Sequence, residues 1–191
     1  MTRILTPVLC LLLLPGCAAL VVGGAAAGAG AGHDRRSLGT VIDDNNIELT
    51  AYDAINKDKE IALKNNVGIV VHNGVMLLVG EVRTEELRQR AERLASGLQG
   101  VRRVVNEIAV EDPTGFGTAT RDRWLTGRVK LALLDIVDLP GFDPTRVNVS
   151  TQNGKVYLMG IVSREEAERV VGIARAVPGV ERVVKVFEYA D

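Results

Sequence analysis

The chain has 191 residues, of which 25% are charged, 47% hydrophobic and 4% aromatic, and its formal net charge is −1. This balance excludes a strongly basic protein that binds nucleic acid by bulk electrostatics, and the hydrophobic content is too high for a disordered chain. Both cysteines, Cys10 and Cys17, lie close to the N-terminus. A disulfide framework or a cysteine-rich zinc site in the rest of the chain is therefore excluded.

Residues 1–16 have the pattern of a secretory signal peptide. Arg3 precedes a short apolar run over residues 4–14, whereas a membrane span needs about 20 apolar residues. The run ends in Leu14-Pro15-Gly16-Cys17, which resembles a bacterial lipobox. That resemblance implies cleavage before Cys17 and acylation of this cysteine. The alternative is one transmembrane helix that begins at Ile4 and continues through the alanine- and glycine-rich stretch after Cys17. The glycines of that stretch disfavour such a helix, because each glycine costs a helix about 1 kcal/mol.

Residues 17–40 are expected to form a lipidated tether. Up to Gly32 they are almost wholly alanine, glycine and valine. Their G-x-G patterns follow no strand, so a flexible linker is favoured over a dinucleotide site. Ala18 follows the cysteine, and by resemblance to bacterial lipoprotein sorting this favours the outer membrane over the inner membrane.

The rest of the chain contains two copies of one sequence repeat. Asn73-Gly74 recurs as Asn153-Gly154, an offset of 153 − 73 = 80, and the apolar segments that follow are similar. Gly100 and Gly179 begin a second matching pair at an offset of 179 − 100 = 79. Two matches in the same order indicate duplication. We expect domains at 41–111 and 121–191, joined by a turn-rich linker at 112–120.

The first copy predicts a helix, a hairpin, a helix and a strand. Helical spacing of apolar residues begins at Ile47, and strands are expected at 67–72 and 75–82. Asn73-Gly74 between them is the strongest short hairpin signal. Thr84 is the expected N-cap of the next helix, Gly100 its stop, and 104–110 the last strand. The apolar helix positions are Ile47, Ala51, Ala54, Ile55 and Ala62, then Leu87, Ala91, Leu94, Ala95 and Leu98.

The second copy repeats this pattern. A helix is expected from residue 122 to 135, strands at 147–151 and 156–162 around Asn153-Gly154, and a last strand at 183–187. Ser163 and Glu166 form a capping box for the second helix. Each copy thus predicts an α+β unit of order αββαβ, with a three-stranded mixed sheet packed on two helices.

Few residues point to chemistry. Gly80 and Gly160, late in the second strands, admit a role in a ligand pocket, but a strand glycine more often marks a bulge or a close backbone approach, and we assign both a structural role. His72 is expected at the surface, with no second metal ligand in view. No Ser-His-Asp or Cys-His set can be assembled, so neither an enzyme nor a cofactor is expected.

Taken together, the αββαβ order, the Asn-Gly hairpins, Gly80 and Gly160, and the terminal G-V-x-x-V-V strands resemble the BON domain. Two such domains behind a lipobox resemble the dual-BON outer-membrane lipoproteins of Gram-negative bacteria. The resemblance implies a protein anchored to the outer membrane and facing the periplasm. It also implies binding of anionic phospholipid through the second domain, accumulation at the division site, and support of outer-membrane integrity.

The same resemblance implies a lipid-contacting tryptophan in the first helix of the second domain, and Trp124 occupies the matching place. An indole suits the headgroup layer, with cations meeting phosphate. The candidate lipid-binding residues are Arg121, Trp124, Gly127, Arg128, Lys130 and Leu131. The alternative for Trp124 is packing on the neighbouring unit. The alternative function is a protein–protein adaptor in the envelope, for example for outer-membrane assembly proteins.

Overall fold

The computed structural model of the chain describes residues 34–63, 66–136 and 139–190. They form two αββαβ units, which confirms the predicted fold class. The first unit contains α1 (Leu38–Lys57), α2 (Lys59–Ala62), β1 (Asn66–His72), β2 (Val75–Val82), α3 (Glu85–Ser96), β3 (Arg103–Asn106) and β4 (Ala109–Val110). The second contains α4 (Phe116–Leu134), a 3-10 turn (Pro144–Arg146), β5 (Asn148–Gln152), β6 (Lys155–Val162), α5 (Arg164–Ala176) and β7 (Arg182–Tyr189).

In both sheets the second strand of the hairpin is central. It pairs antiparallel with its hairpin partner and parallel with the last strand of the unit. In the first unit the last strand consists of two segments, β3 and β4, which both pair with β2. Between them the Asn106 side-chain oxygen accepts a hydrogen bond from the Ile108 N–H at 3.2 Å. The single strand expected over 104–110 is therefore interrupted, because this side chain replaces a ladder bond.

Local signals in the sequence define the turns and helix starts. Asn73 and Asn153 have φ of 50°, and the glycines after them have φ of 70° and 71°, so both hairpin turns use the left-handed region that Asn-Gly favours. Thr84 accepts from the Leu87 N–H as the N-cap of α3. Ser163 and Glu166 form the capping box of α5.

The helix boundaries differ from those expected at four places. α3 ends at Ser96, with Gly97 as its C-cap, and does not continue to Gly100. α1 begins at Leu38, because Ser37 caps it by accepting from the Thr40 N–H at 3.1 Å, so residues 38–40 are helical rather than tether. α4 begins at Phe116, six residues before the expected 122 and inside the expected linker. Asp58 ends α1 and caps α2, which changes the helical phase, so Ile61 is buried and Ala62 is exposed.

The two sheets pack face to face, with the helices of each unit on the outside. Alternate residues of the central strands face a shared apolar layer between the sheets, while the residues between them face the helices of their own unit. The order of layers is therefore α1 and α3, first sheet, second sheet, α4 and α5. The shared layer contains Val75, Leu77, Val79, Tyr157, Met159 and Val186, with Val70, Val105 and Val184 partly buried against it.

Polar contacts between the units surround this apolar layer. Glu81, at the end of β2, is fully buried and accepts from Gln152 Nε2 at 2.6 Å and Asn153 Nδ2 at 2.7 Å. At the other hairpin, Asn73 Nδ2 donates to Glu188 at 2.8 Å, and Arg102 forms an ion pair with the same carboxylate. Each hairpin asparagine thus donates to a glutamate of the other unit.

Tyr157 makes the shared layer sensitive to high pH. It is 1% exposed, and burial, assisted by the nearby Glu107 carboxylate, raises its pKa to about 12. Because the folded state holds the proton more tightly than the unfolded chain, stability is retained below pH 10 and lost as pH rises towards 12. At pH 11 this loss amounts to about 1.4 kcal/mol, and we expect Tyr157→Phe to remove it. Urea unfolding of the parent and the Tyr157→Phe variant at pH 8 and pH 11 measures this difference. An equal loss of unfolding free energy in both proteins would contradict the prediction.

His72, expected at the surface, is buried. It lies at the end of β1 among the charged side chains of Asp34, Arg36, Asp44 and Glu188. Burial lowers its pKa below the usual value, and the charge of Arg36 adds to this effect. The prediction of a surface histidine failed because the segment before α1 folds back over this edge, which the sequence does not signal.

Candidate membrane-binding face

The helix α4 has two opposite faces of different chemistry. Its inner face packs into the core of the second unit through Leu125, Val129 and Leu133. Spacings of three and four residues place another set, at 124, 127, 131 and 134, on the outer face. The outer face has no helix or strand of the described chain above it, because α4 belongs to an outer layer.

Three large apolar side chains lie exposed on the outer face of α4. Trp124 is 59% exposed, Leu131 66% and Leu134 57%. Gly127 lies between them, and an added Cβ there would meet nothing within 4 Å. The alternative in which Trp124 packs on the neighbouring unit therefore does not describe this structure. Apolar side chains aligned in this way on an outer helix mark an interaction surface.

Cationic side chains flank this apolar stripe along most of its length, with the exposed Asp135 at its C-terminal end. The Arg128 guanidinium lies over the Trp124 ring at 4.7 Å from its centroid and donates to the Pro178 carbonyl at 3.3 Å. This stacking fixes the indole against the helix. Arg121 is paired with Glu181 at 3.7 Å, with both side chains exposed, and Lys130 is exposed. Arg123 is also exposed beside Trp124.

An open groove continues the stripe towards the 3-10 turn. Its volume is about 500 Å³. Leucines of α4 form one wall and Pro144, Thr145 and Val147 the other, with Lys130 at the edge. Apart from Lys130 and Thr145 the lining is apolar. The groove thus has the composition of a surface that accepts a hydrocarbon chain next to an anionic group.

Asp122 ties α4 to the second hairpin. Its carboxylate accepts from the backbone N–H groups of Asn153 at 2.7 Å and Gly154 at 3.0 Å, and it is nearly fully buried. Asp44 of α1 does the same for Asn73 and Gly74, at 2.6 and 2.7 Å. Sequence reasoning missed both residues. Their signal is that each aspartate stands three positions before the first core residue of its helix.

Gly80 and Gly160 lie late in β2 and β6, where a backbone carbonyl of a neighbouring segment comes close. Gly80 has φ of +107°, and an added Cβ would overlap the Asn66 carbonyl. At Gly160 an added Cβ would overlap the Arg146 carbonyl. Both glycines face the helix side of their sheets, and neither lines the groove beside α4.

The segment before α1 connects the start of the described chain to the second unit. Arg35 donates to the Glu166 carboxylate at 2.7 and 3.0 Å and to the Ile161 carbonyl at 3.0 Å. Glu166 also pairs with Arg146 at 3.7 Å, in the 3-10 turn that walls the groove. Arg35, at the start of the described chain, is therefore linked to the wall of the groove beside α4 through a single shared carboxylate.

Arg36 fastens the same segment to the first unit. It pairs with Asp34 at 2.7 Å and with Asp44 at 2.9 Å. Burial alone would raise the pKa of Asp34, but the hydrogen bonds and charge of Arg36 outweigh it and hold this pKa below its usual value. Cys17 and the predicted signal peptide lie outside the described residues.

Two other features are absent from the residues that the structure describes. Among them there is no group of three metal-ligating side chains of the His, Cys, Asp or Glu type. Within the same stretches of chain, no helix combines the length and the apolar character needed to cross a bilayer.

Two αββαβ units joined through their sheets, with an amphipathic outer helix, define the class of protein. The sequence model of the BON domain matches residues 43–112 and 121–191, and the chain belongs to the BON domain family. It is 38% identical over 180 residues to "Outer membrane lipoprotein DolP" of Haemophilus influenzae, covering 94% of this chain and 92% of that protein.

Two further relatives are similar over most of their length. The "21 kDa hemolysin" of Actinobacillus pleuropneumoniae is 35% identical over 158 residues, covering 83% of this chain and 80% of that protein. "Osmotically-inducible protein Y" of Escherichia coli is 30% identical over 152 residues, covering 76% and 72% respectively. The expected dual-BON family is thus confirmed.

Proposed function

We propose that this chain is a non-enzymatic outer-membrane lipoprotein that faces the periplasm and binds anionic phospholipid through α4, so supporting outer-membrane integrity. The observation that carries the proposal is the outer face of α4, where Trp124, Leu131 and Leu134 lie exposed among cationic side chains.

The chemistry of this face matches the headgroup region of a bilayer. The indole and the two leucines enter the boundary between headgroups and acyl chains, while the indole N–H stays hydrated. Each cation near an anionic leaflet contributes about 1 kcal/mol. Such contacts give weak affinity, so the anchor at Cys17 is the second signal that makes binding stable, as it raises the effective concentration of the bilayer.

Two observations support the anchor and its position. A relative that matches 94% of the chain is called an outer membrane lipoprotein, and Cys17 ends the lipobox-like segment. Arg35, at the start of the described chain, contacts Glu166, which also pairs with Arg146 in the turn beside the groove of α4; this supports an orientation in which this edge of the body lies nearest the membrane.

Replacing Trp124 with alanine tests the proposal. We expect the body, residues 34–191, to lose about 2 kcal/mol, or roughly 30-fold, of its affinity for vesicles containing phosphatidylglycerol, because the buried apolar area disappears. Cosedimentation measures it. Tyr52→Ala is the matched control, since Tyr52 is an equally exposed aromatic residue on α1. Equal affinity of the Trp124→Ala variant and the parent would place the lipid site elsewhere.

A further inference from the structure

A cationic groove lies between α5 and β7, apart from the face of α4 described above. Its volume is about 390 Å³, and three cations line it, Arg164, Arg175 and Lys185. Among the lining residues only Glu168 carries a carboxylate, so the lining has a net charge of +2. Gly172 forms part of the wall, and an added Cβ there would meet nothing within 4 Å. The groove is therefore positively charged and open to a ligand.

The three cations of this groove have no anionic partner. Within the described residues, none of Arg164, Arg175 and Lys185 forms an ion pair. The Arg164 guanidinium instead lies over the Tyr189 ring, 4.8 Å from its centroid. Stacking of this kind orients the guanidinium and leaves its N–H groups available to oxygen atoms. Because like charges that line one groove repel each other, a bound anion would stabilise this cluster.

The first unit has no such cluster at the matching positions. The N-caps Thr84 and Ser163 align the two copies at an offset of 163 − 84 = 79. At this offset the three cations correspond to residues of the first unit that carry no positive charge, Glu85, Ser96 and Asn106. The fold itself therefore does not require cations at these places. They are a property of the second unit, which also contains α4.

Arg164 occupies a place where a positive charge lowers the stability of the helix. It is the first residue of α5, where the helix dipole favours a carboxylate and opposes a cation. Its counterpart Glu85 follows this preference. By contrast, Arg175 suits the last turn of α5, and a lysine such as Lys185 is common on an edge strand. Neither of these structural reasons applies to Arg164, which favours a role in binding an anion.

The groove lies in the same outer layer of the molecule as α4. Both helices of the second unit cover one side of its sheet, with α4 packed on β5 and α5 on β7. Packed helices lie about 10 Å apart, so the groove is on the order of 20 Å from the exposed stripe of α4. A bilayer that contacts α4 therefore also passes close to the groove, and this inference rests on the proposed function.

We propose that the groove between α5 and β7 binds the phosphate of an anionic phospholipid headgroup, as a second lipid site. Arg164 and Arg175 donate hydrogen bonds to the phosphate oxygens, and the Lys185 ammonium adds a further positive charge. Two lipid contacts at this separation strengthen each other. They also fix the orientation of the second unit on the bilayer, which contact along one helix does not.

Neutral variants of the groove test this proposal. The protein is the chain from residue 17 onwards with Cys17→Ser, so that it carries no lipid, and the probe is vesicles that contain phosphatidylglycerol. We expect Arg175→Gln combined with Lys185→Gln to weaken binding roughly 30-fold, since each cation contributes about fivefold at an anionic leaflet. All the side chains changed here are exposed, and thermal unfolding checks that the variants fold.

Arg93→Gln combined with Lys59→Gln is the matched control. Both residues are exposed on helices of the first unit, on the opposite outer layer. Since charges there lie more than a Debye length from the bilayer, we expect a change of less than about twofold. An equal loss in the control and the groove variant would show that only net charge matters, and would overturn the proposal.

Trp124→Ala in the same chain separates this proposal from the proposed function. If Trp124→Ala weakens vesicle binding and the groove variant does not, α4 remains the lipid site and the groove proposal is wrong. If only the groove variant weakens binding, the proposed role of α4 is wrong and the groove stands. A parent chain that binds these vesicles no better than vesicles of phosphatidylcholine contradicts both.

The source of the phosphate is tested by nuclear magnetic resonance. The amide signal of Gly172, in the groove wall, is followed while dihexanoyl phosphatidylglycerol or inorganic phosphate is added. We expect a saturable shift with the lipid and none with inorganic phosphate at the same concentration. An equal response to both would define a site for free anions and overturn the assignment to a lipid headgroup.

Discussion

Gly80→Ala is expected to destabilise the protein by about 3 kcal/mol or more. Gly80 has φ of +107°, which side chains rarely adopt, and the new Cβ would overlap the Asn66 carbonyl of the neighbouring strand. Because the clash is with a backbone carbonyl, β1 and β2 must move apart to relieve it. β2 is the central strand of its sheet, so this movement disturbs its pairing on both sides. Urea unfolding followed by circular dichroism measures the loss.

Gly172→Ala is the matched control for this prediction. Gly172 lies in the exposed part of α5, and an added Cβ there meets nothing within 4 Å. The same substitution should therefore stabilise the protein by about 1 kcal/mol, because alanine favours a helix. Two changes of the same sign would contradict the close-approach explanation for Gly80.

Asp122→Ala is expected to destabilise the second unit by about 2–4 kcal/mol. The substitution leaves the N–H groups of Asn153 and Gly154 without the carboxylate that accepts from both of them. Unpaired buried donors cost about 1–3 kcal/mol each. Asn153 in this hairpin also donates a hydrogen bond to Glu81 of the first unit. We therefore expect the substitution to weaken the interface between the two units as well.

Asp135→Ala is the control for this substitution. Asp135 is exposed at the end of the same helix, and its removal should change stability by less than about 0.5 kcal/mol. Thermal unfolding of the two variants and the parent decides the question. If Asp122→Ala melts like Asp135→Ala, the carboxylate does not hold the hairpin.

Short-range signals in the sequence predicted the elements well. Asn-Gly fixes a turn through two neighbouring residues, and Thr84 or Ser163 caps a helix through the next three. The apolar spacing of α4 and α5 identified the inner face of each helix, since Leu125, Val129 and Ala174 are all buried. These signals depend on contacts within a few residues, so a single sequence contains them.

Contacts between the units could not be predicted from such signals. Glu81 is buried beside Gln152 and Asn153, which lie more than seventy residues further along the chain. Arg35 contacts Glu166, which is 131 residues further along the chain. One signal was nevertheless present. The stretch from Val75 to Val79 is apolar at every position, which indicates a strand covered on both faces rather than one facing water.

The candidate site was only partly predictable, for a similar reason. Spacing alone places Trp124 and Leu131 on one face of a helix, and the structure leaves both exposed. Leu134 was not among the predicted residues, although the helix expected over 122–135 includes it and its spacing of three from Leu131 places it on the same face. The groove beside it also needs Pro144 and Thr145, which come together with α4 only through the fold.

Quenching of the Trp124 fluorescence tests the central claim most directly, because Trp124 is the only tryptophan in the chain. The full lipidated protein is placed in bilayers that contain phosphatidylglycerol, with bromine atoms on the acyl chains near the headgroups. We predict strong quenching there and weak quenching in bilayers of phosphatidylcholine alone. An indole that is quenched equally weakly in both bilayers would contradict the binding of anionic phospholipid by α4.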